Sequence, residues 1–117
     1  MVLGTPETIP GEYVTGYHGG KGSIFRRTLL YDVPSSVFKY VRDIVVPTGA
    51  IIAEHTHIGD EEIYFVISGS GIMVIDGEEC VLGPGSAALT MSGSTHGIRN
   101  EAPVDLRILV ACAKILS

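Results

Sequence analysis

Apolar and polar residues alternate in short runs along this chain, and glycine or proline separates the runs. The predicted strands cover residues 23–30, 37–46, 51–57, 62–68, 72–76, 78–82, 86–91, 96–99 and 106–114. Runs of this length with turn residues between them are typical of β-strands, and their regular recurrence favours a sandwich or a barrel. The clearest turn signals are Asp76-Gly77 and Gly83-Pro84-Gly85. The fold class is therefore predicted to be all-β.

Residues 1–22 depart from this pattern, because they form a polar lead-in rich in glycine and proline. The run from His18 to Gly22 predicts a loop whose backbone lies close to another segment. It lacks the spacing of a phosphate-binding loop, so a structural turn is favoured over an anion site. No helix longer than one turn is predicted, unless the segment around residues 35–40 forms one. We predict two parts: the lead-in, 1–22, a candidate for packing on a partner subunit, and a barrel domain, 23–117.

The predicted strand at residues 62–68 is apolar on both of its faces. Its inward positions are predicted to be Glu62, Tyr64 and Val66. Its outward positions are then Ile63, Phe65 and Ile67. A strand that is apolar on both faces needs cover on both, and a chain of 117 residues has little to spare. A homodimer is predicted, with a folded-back N-terminal segment as the alternative cover.

Length, composition and charge narrow the classes of function. A chain of 117 residues corresponds to one domain. The formal net charge of -5, with Arg26-Arg27 as the only adjacent basic pair, argues against a nucleic-acid partner. No apolar run reaches membrane-spanning length, and no signal-peptide pattern is present, so we expect a soluble cytoplasmic protein without a membrane partner. Cys80 and Cys112 are interpreted as buried thiols in a reducing compartment.

The densest cluster of reactive side chains begins at His55 and His57. On a strand, residues two apart point to the same face, whereas on a helix they diverge by about 200°. A turn ending at Asp60 follows, and then the carboxylate pair Glu61 and Glu62. Two histidines and a carboxylate on paired strands can converge on one point. The pattern therefore predicts a metal site.

The spacing of this stretch resembles the first cupin motif, G(X)5HXH(X)3,4E(X)6G. The matching residues are Gly49, His55, His57, Glu62 and Gly69. Glu61 fits the shorter of the two allowed spacings after His57, but only Glu62 leaves six residues before the final glycine. The spacing therefore favours Glu62 as the ligand.

A second stretch resembles the other cupin motif, G(X)5PXG(X)2H(X)3N. The matching residues are Gly85, Gly93, His96 and Asn100, with Met91 at the position where proline is usual. Residues 37–114 thus resemble a cupin, similar to the small single-domain proteins described as oxalate-decarboxylase-like or sugar-phosphate-isomerase-like. The replacement of this proline by Met91 does not affect any of the four positions that supply metal ligands in the motifs.

The resemblance implies a double-stranded β-helix, or jelly-roll, barrel of two antiparallel sheets. It also implies one divalent metal ion per chain, held by His55, His57, Glu62 and His96. Three neutral imidazoles and one carboxylate suit manganese, iron, zinc, nickel or cobalt. Four protein ligands leave two octahedral positions for water or substrate, where the metal would act as a Lewis acid.

Further residues are assigned around this expected centre. Tyr64 shares the face of Glu62 and is a catalytic candidate, with core packing as the alternative. Tyr40 and Arg42 share one strand face and are candidates for the substrate pocket. Inward, Arg42 would bind a carboxylate or phosphate bidentately; outward, the favoured alternative, it is a surface or dimer-interface charge. His18 is interpreted as a solvated loop residue, with the barrel mouth as the alternative. Asn100 is interpreted as structural.

The predicted function is that of a metal-dependent monocupin acting on a small oxygenated metabolite, such as a sugar, a sugar acid or a 2-oxo acid. The favoured chemistry is that of an isomerase, lyase or decarboxylase. One alternative is a dioxygen-dependent iron dioxygenase. The other is a non-catalytic cupin that binds a metal and a small ligand without transforming it.

Overall fold

A computed structural model describes residues 1–115 of the chain, and almost all of its regular structure is β. One sheet has six strands: β1 (Glu12–Thr15), β2 (Ser23–Tyr31), β3 (Phe38–Val46), β5 (Asp60–Ser68), β8 (Ala87–Thr90) and β10 (Leu106–Lys114). The other has four: β4 (Ile51–Thr56), β6 (Gly71–Ile75), β7 (Glu78–Leu82) and β9 (Thr95–Arg99). The orders are β1-β2-β3-β10-β5-β8 and β4-β9-β6-β7, antiparallel throughout. The predicted all-β fold class is confirmed.

The hydrophobic core lies between the two sheets, and both sheets contribute to it. From the larger sheet the fully buried side chains include Ile24, Ile44, Val46, Val66 and Ile108. From the smaller sheet they include Ile52, Met73 and Ile98. Because strand side chains alternate between faces, each strand buries one row of residues and exposes the other. This is the alternation that the sequence predicted.

The lead-in contains more regular structure than the predicted loop. Strand β1 pairs with β2 at the edge of the larger sheet, and a short 3₁₀ turn, Tyr17–Gly19, follows. The next residues lie against β4, where the Lys21 and Ile51 amides donate to each other's carbonyls at 3.1 and 2.8 Å. A Cβ on Gly20 would lie 1.8 Å from the Ile51 carbonyl oxygen, so only glycine fits there. The predicted close backbone approach of the run from His18 to Gly22 is confirmed, whereas strand β1 was not predicted.

The helix considered near residues 35–40 does not form. Ser35 Oγ accepts hydrogen bonds from the Val37 and Phe38 amides, and this turn leads directly into β3. Pairing of β3 with β10 along its whole length outweighs any local helical tendency. Within the described residues, no helix is long and apolar enough to cross a membrane.

Strand β5 is apolar on both faces, as predicted. Its inward residues, Glu62, Tyr64 and Val66, are buried. Its outward residues, Ile63, Phe65 and Ile67, are 44%, 38% and 39% exposed. The N-terminal segment pairs with β2, three strands away from β5, and leaves this face uncovered. The alternative of cover by a folded-back N-terminal segment is therefore wrong.

Candidate metal centre

The four side chains predicted as metal ligands meet between the two sheets. His55 lies on β4, His57 directly after it, Glu62 on β5 and His96 on β9. One potential ligand atom from each lies within 4.8 Å of those of the other three. Glu62 and His96 are buried, and the His57 side chain is only 10% exposed. The two sheets thus bring together residues separated by up to 41 positions in the sequence.

A β-bulge in β4 is what directs His55 inward. Ile52 pairs with Ile98 and His55 pairs with His96, so the register shifts by one residue between these pairs. On a regular strand, Ile52 and His55 would point to opposite faces because they are three residues apart. The bulge lets one residue enter the core and the other enter the site. The sequence analysis predicted an unbroken strand here and missed this feature.

Each histidine of the cluster has its Nδ1 atom engaged by a neighbouring group. The contacts are His55 Nδ1 to the Ala53 carbonyl oxygen at 2.8 Å, His57 Nδ1 to Asp60 Oδ1 at 2.8 Å, and His96 Nδ1 to Thr90 Oγ1 at 2.7 Å. A carbonyl and a carboxylate can only accept a hydrogen bond, so His55 and His57 donate through Nδ1. In the neutral form, this tautomer presents an unprotonated Nε2 atom to the centre, as metal-binding histidines do.

The spacing of the donor atoms fits a metal ion. His96 Nε2 lies 3.0 Å from His57 Nε2 and 3.1 Å from His55 Nε2. Glu62 Oε1 lies 3.1 Å from the Nε2 atoms of both His57 and His96. Bonds of about 2.1 Å separate neighbouring ligand atoms by about 3.0 Å in an octahedron and about 3.4 Å in a tetrahedron. Converging lone pairs repel unless a cation lies among them, so the cluster can hold a divalent metal with octahedral spacing.

The protonation states of the cluster also suit metal binding. Burial, together with the neighbouring His96 and His57, holds the pKa of His55 below its usual value, although the Ala53 carbonyl acts in the opposite direction. Burial alone would raise the pKa of Glu62, but the neighbouring His96, Tyr40 and His57 side chains outweigh burial and lower it. Near neutral pH, the site therefore offers a neutral imidazole at His55 and an ionised carboxylate at Glu62.

Asp60 is a member of the site that the sequence analysis treated only as a turn residue. Its Oδ1 atom accepts from His57, and its Oδ2 atom accepts from Lys39 Nζ at 2.6 Å. A carboxylate behind a metal-binding histidine fixes the orientation of the ring. The available signal was a carboxylate three residues after a histidine at the end of a strand.

The two tyrosines assigned to the site have different surroundings. The Tyr40 hydroxyl donates a hydrogen bond to Glu62 Oε2. Tyr64 is 2% exposed, and its ring packs 4.8 Å from the ring of His96. Burial and the Glu62 carboxylate raise the pKa values of both phenols, so both keep their protons at neutral pH. A catalytic role for Tyr64 stays a prediction.

Arg42 points into the barrel, so the favoured outward interpretation is wrong. It lies on the same face of β3 as the buried residues Ile44 and Val46, because all three are separated by two positions. Its guanidinium carbon lies 3.8 Å from the centre of the Tyr40 ring. The structure thus brings Tyr40 and Arg42 together beside Glu62, while their role as a substrate pocket stays a prediction.

His18 lies against the four candidate ligands rather than in solvent, so its interpretation as a solvated loop residue is wrong. Its ring stacks on the His55 ring with centroids 3.6 Å apart and an interplanar angle of 12°. Burial and the neighbouring His55 lower the pKa of His18 to about 4. The signal for this placement was the glycine-rich run that follows His18, which lets the backbone lie against β4.

Two remaining interpretations have opposite outcomes. Asn100 is buried, and its Nδ2 atom donates to the Val46 and Val104 carbonyls at 2.9 and 2.8 Å. It therefore ties the loop after β9 to β3, as interpreted. Cys112 is buried as expected, but Cys80 is exposed because β7 is an edge strand with little cover.

Comparison with known proteins agrees with this fold. The family model described as "Cupin domain" matches residues 42–112, which is more than half of the chain. This chain belongs to the cupin family. An uncharacterized protein of Methanocaldococcus jannaschii is 31% identical over 107 residues, covering 90% of this cupin and 86% of the relative.

Two further similarities connect the chain to small cupins from Thermotoga maritima. The "Oxalate-binding protein" of that organism is 29% identical over 110 residues, covering 93% of this cupin and 90% of the relative. The crystal structure of a predicted oxalate decarboxylase from Thermotoga maritima has a TM-score of 0.91 at 27% identity, covering 98% and 100% of the two chains. A putative sugar phosphate isomerase from Acidithiobacillus ferrooxidans shares the fold, with a TM-score of 0.78 at 20% identity. The match covers 97% of this cupin and 76% of that chain.

Proposed function

We propose that this cupin holds one divalent metal ion with His55, His57, Glu62 and His96 and uses it to bind a small oxygenated metabolite. The observation that carries the proposal is the convergence of three imidazole nitrogens and a carboxylate oxygen with contacts of 3.0 and 3.1 Å. When bound, the metal would supply Lewis-acid polarisation of a ligand oxygen. Manganese, iron, zinc, nickel and cobalt all suit this donor set.

The surrounding residues of the chain hold the four ligands in place. Asp60 and the Ala53 carbonyl fix the rings of His57 and His55 through their Nδ1 atoms. Tyr40 occupies the second carboxylate oxygen of Glu62, so that the first faces the imidazoles. Four ligand atoms leave two positions of an octahedron for a ligand with two adjacent oxygens. Such ligands include 2-oxo acids, hydroxyketones and oxalate.

Non-redox chemistry of the isomerase, lyase or decarboxylase type is the favoured reaction class. Its support is the similarity to a predicted oxalate decarboxylase along nearly the full length of both chains. The protonated phenol of Tyr64 would act as a hydrogen-bond donor in the pocket rather than as a base, because burial and the Glu62 carboxylate raise its pKa. Such a donor would stabilise negative charge that develops on a ligand oxygen, whereas the hydroxyl of Tyr40 is engaged by Glu62.

A binding protein without turnover is the second candidate function. The observation that favours it is the similarity over 93% of this chain to a relative named for oxalate binding. The same four ligands and the same open positions would serve both functions. The two candidates differ only in whether the bound metabolite is transformed.

Metal analysis of purified variants tests the ligand set. We expect about one metal ion per chain in the wild type, and loss of that metal in His57→Ala and Glu62→Ala. Glu61→Ala is the matched control, because it removes a carboxylate next to Glu62 that lies on the opposite face of β5. If the ligand variants keep the metal content of the wild type, the proposed site is wrong.

A ligand panel separates the candidate functions. The metal-loaded protein would be incubated with oxalate, 2-oxo acids, sugar acids and sugar phosphates, and products would be followed by mass spectrometry. Turnover that disappears in Glu62→Ala supports the enzyme, whereas tight binding without turnover supports the binding protein. Oxygen consumption that requires iron would instead identify a dioxygenase.

A further inference from the structure

Arg42 is a half-buried cation that has no carboxylate partner among the described residues. Its Nε atom donates to Thr28 Oγ1 and its Nη1 atom to the Tyr17 hydroxyl, both at 3.2 Å. Of the other four arginines, Arg27 donates to the Ile9 carbonyl at 3.1 Å, and three form ion pairs with carboxylates. These pairs are Arg26 with Glu12, Arg99 with Glu79 and Glu101, and Arg107 with Asp43. A cation removed from water without a counter-charge is costly, so this position calls for an anion.

The free donors of Arg42 have the geometry of a carboxylate site. A guanidinium carries five N–H groups, and the two hydrogen bonds to Thr28 and Tyr17 leave three on the Nη1 and Nη2 atoms. Two parallel N–H groups on that edge match the two oxygens of a carboxylate. The Tyr17 hydroxyl accepts from Arg42, so its own proton is free to donate to the same anion.

Two chains of side-chain contacts link Arg42 to the four candidate metal ligands. Tyr40 connects them on one side, since its ring lies under Arg42 and its hydroxyl binds Glu62. The turn of Tyr17 and His18 connects them on the other side. The Tyr17 hydroxyl contacts Arg42, the rings of Tyr17 and His18 are 4.3 Å apart, and His18 stacks on His55. The guanidinium is therefore separated from the candidate ligands by one side chain on the first route and by two on the second.

The charge around the candidate metal ligands and Arg42 favours an acid as the ligand. A divalent metal with Glu62 has a net charge of about +1 when the imidazoles are neutral, and Arg42 adds another positive charge. The local charge is thus positive inside a chain whose formal net charge is -5. A neutral sugar would leave both positive charges uncompensated, whereas a dicarboxylate would compensate both.

We propose that Arg42 and Tyr17 bind a carboxylate of the ligand whose other oxygens bind at the metal, so that the ligand class is that of small dicarboxylic acids. This inference rests on the proposed function, because the metal holds the other end of the ligand. It names the residues that would bind the end of the ligand that the metal does not hold.

Calorimetric titration of the manganese-loaded protein with oxalate, malonate and succinate tests this inference. Succinamide, the neutral analogue of succinate, is the matched ligand control. We expect at least one of the acids to bind and the diamide not to bind. Arg42→Gln should weaken acid binding by about 10- to 100-fold, the usual effect of losing a charge-assisted hydrogen-bonded pair. Arg99→Gln removes an arginine that faces away from the site, so it should leave the affinity for the acid unchanged.

Two gentler variants guard against loss of folding in Arg42→Gln. Arg42→Lys keeps the positive charge but loses the paired N–H groups of the guanidinium, and Tyr17→Phe removes only a hydroxyl group. Both variants should bind the acids more weakly while they retain the metal content of the wild type. Equal affinities in these variants and the wild type, binding of succinamide as tight as that of succinate, or no binding of any acid would each overturn the inference. Failure of the proposed function is seen separately, as absence of metal before any acid is added.

Discussion

At the scale of single residues, Asp60 shows how a neighbour outside the ligand set controls a ligand. Its carboxylate accepts from His57 Nδ1 at 2.8 Å and thereby directs Nε2 towards the centre. We expect Asp60→Asn to weaken metal binding by about 10- to 100-fold, the usual effect of losing such a partner. Competition against a chelating dye measures this affinity. Asp105→Asn, a change at an exposed carboxylate, is the control, and equal affinities in the two variants would contradict the role of Asp60.

The ion pair of Lys39 and Asp60 should make the stability of the metal-free protein depend on pH. Burial alone would raise the pKa of Asp60, but Lys39 and His57 outweigh it and hold the pKa below the ordinary value of 3.8. A carboxyl group with a lowered pKa in the folded state stabilises the fold above its unfolded pKa. That contribution is lost as the pH falls through the folded value.

We therefore expect the unfolding temperature of the metal-free wild type to fall between about pH 5 and pH 2, and to fall less in Lys39→Met. Thermal unfolding followed by circular dichroism at low ionic strength measures this difference. Lys114→Met removes an exposed lysine and serves as the control. An identical pH dependence in Lys39→Met and the wild type would show that the pair contributes nothing.

The four candidate ligands could be predicted from the sequence because the spacing of residues on a strand determines which face of the sheet their side chains occupy. The roles of His18 and Arg42 could not be predicted in this way. His18 reaches the site through the contact of a glycine-rich turn with β4, which is a tertiary contact without a local pattern. The facing of Arg42 depends on the pairing of β3 with β2 and β10, and a charged residue on an inward face contradicts the ordinary pattern.

At the scale of elements, the contact between the N-terminal turn and β4 holds His18 on His55. Gly20 has ordinary extended backbone angles, so alanine there would be excluded by space alone. Its Cβ would lie 1.8 Å from the carbonyl oxygen of Ile51, a backbone atom that cannot move aside. We expect Gly20→Ala to destabilise the protein by about 1–3 kcal/mol, as overpacking does.

Urea unfolding of this variant measures the cost. Gly83→Ala is the matched control, since a Cβ at that glycine would meet nothing within 4 Å. Its effect should stay within about 0.5 kcal/mol, as for most surface substitutions. Equal stabilities of the two variants would mean that the turn does not pack against β4 as described.

Most strands could be predicted because each has one row of residues in the core and one outside. Strand β1 was missed, since none of its four residues is buried and its sequence carries no apolar alternation. Its existence depends on pairing with β2. The bulge in β4 was missed for a related reason. The run is apolar before His55, so the sequence shows no position at which the facing changes.

At the scale of the whole molecule, the outer face of the larger sheet is a continuous apolar surface. Ile63 pairs with Leu89 on one side and Ala111 on the other, and Phe65 pairs with Leu109. Ile63, Phe65 and Leu89 are all exposed in the single chain. We propose that a second copy of the chain covers this face, since contiguous apolar surface of this kind marks interaction sites.

Light scattering coupled to size-exclusion chromatography tests the dimer. We expect the wild type to elute with the mass of two chains and Phe65→Glu with the mass of one. Val81→Glu places the same charge at an exposed apolar residue on the edge strand of the other sheet, so it should remain dimeric. A monomeric wild type, or a dimeric Phe65→Glu, would contradict this assignment.

The central claim is that a metal ion lies among His55, His57, Glu62 and His96. An anomalous difference map from a crystal of the manganese-loaded protein tests it most directly. The map should show one strong peak within about 2.0–2.3 Å of the three Nε2 atoms and Glu62 Oε1. A crystal grown with saturating manganese that shows no peak at this position, or shows its peak among other side chains, would contradict the claim.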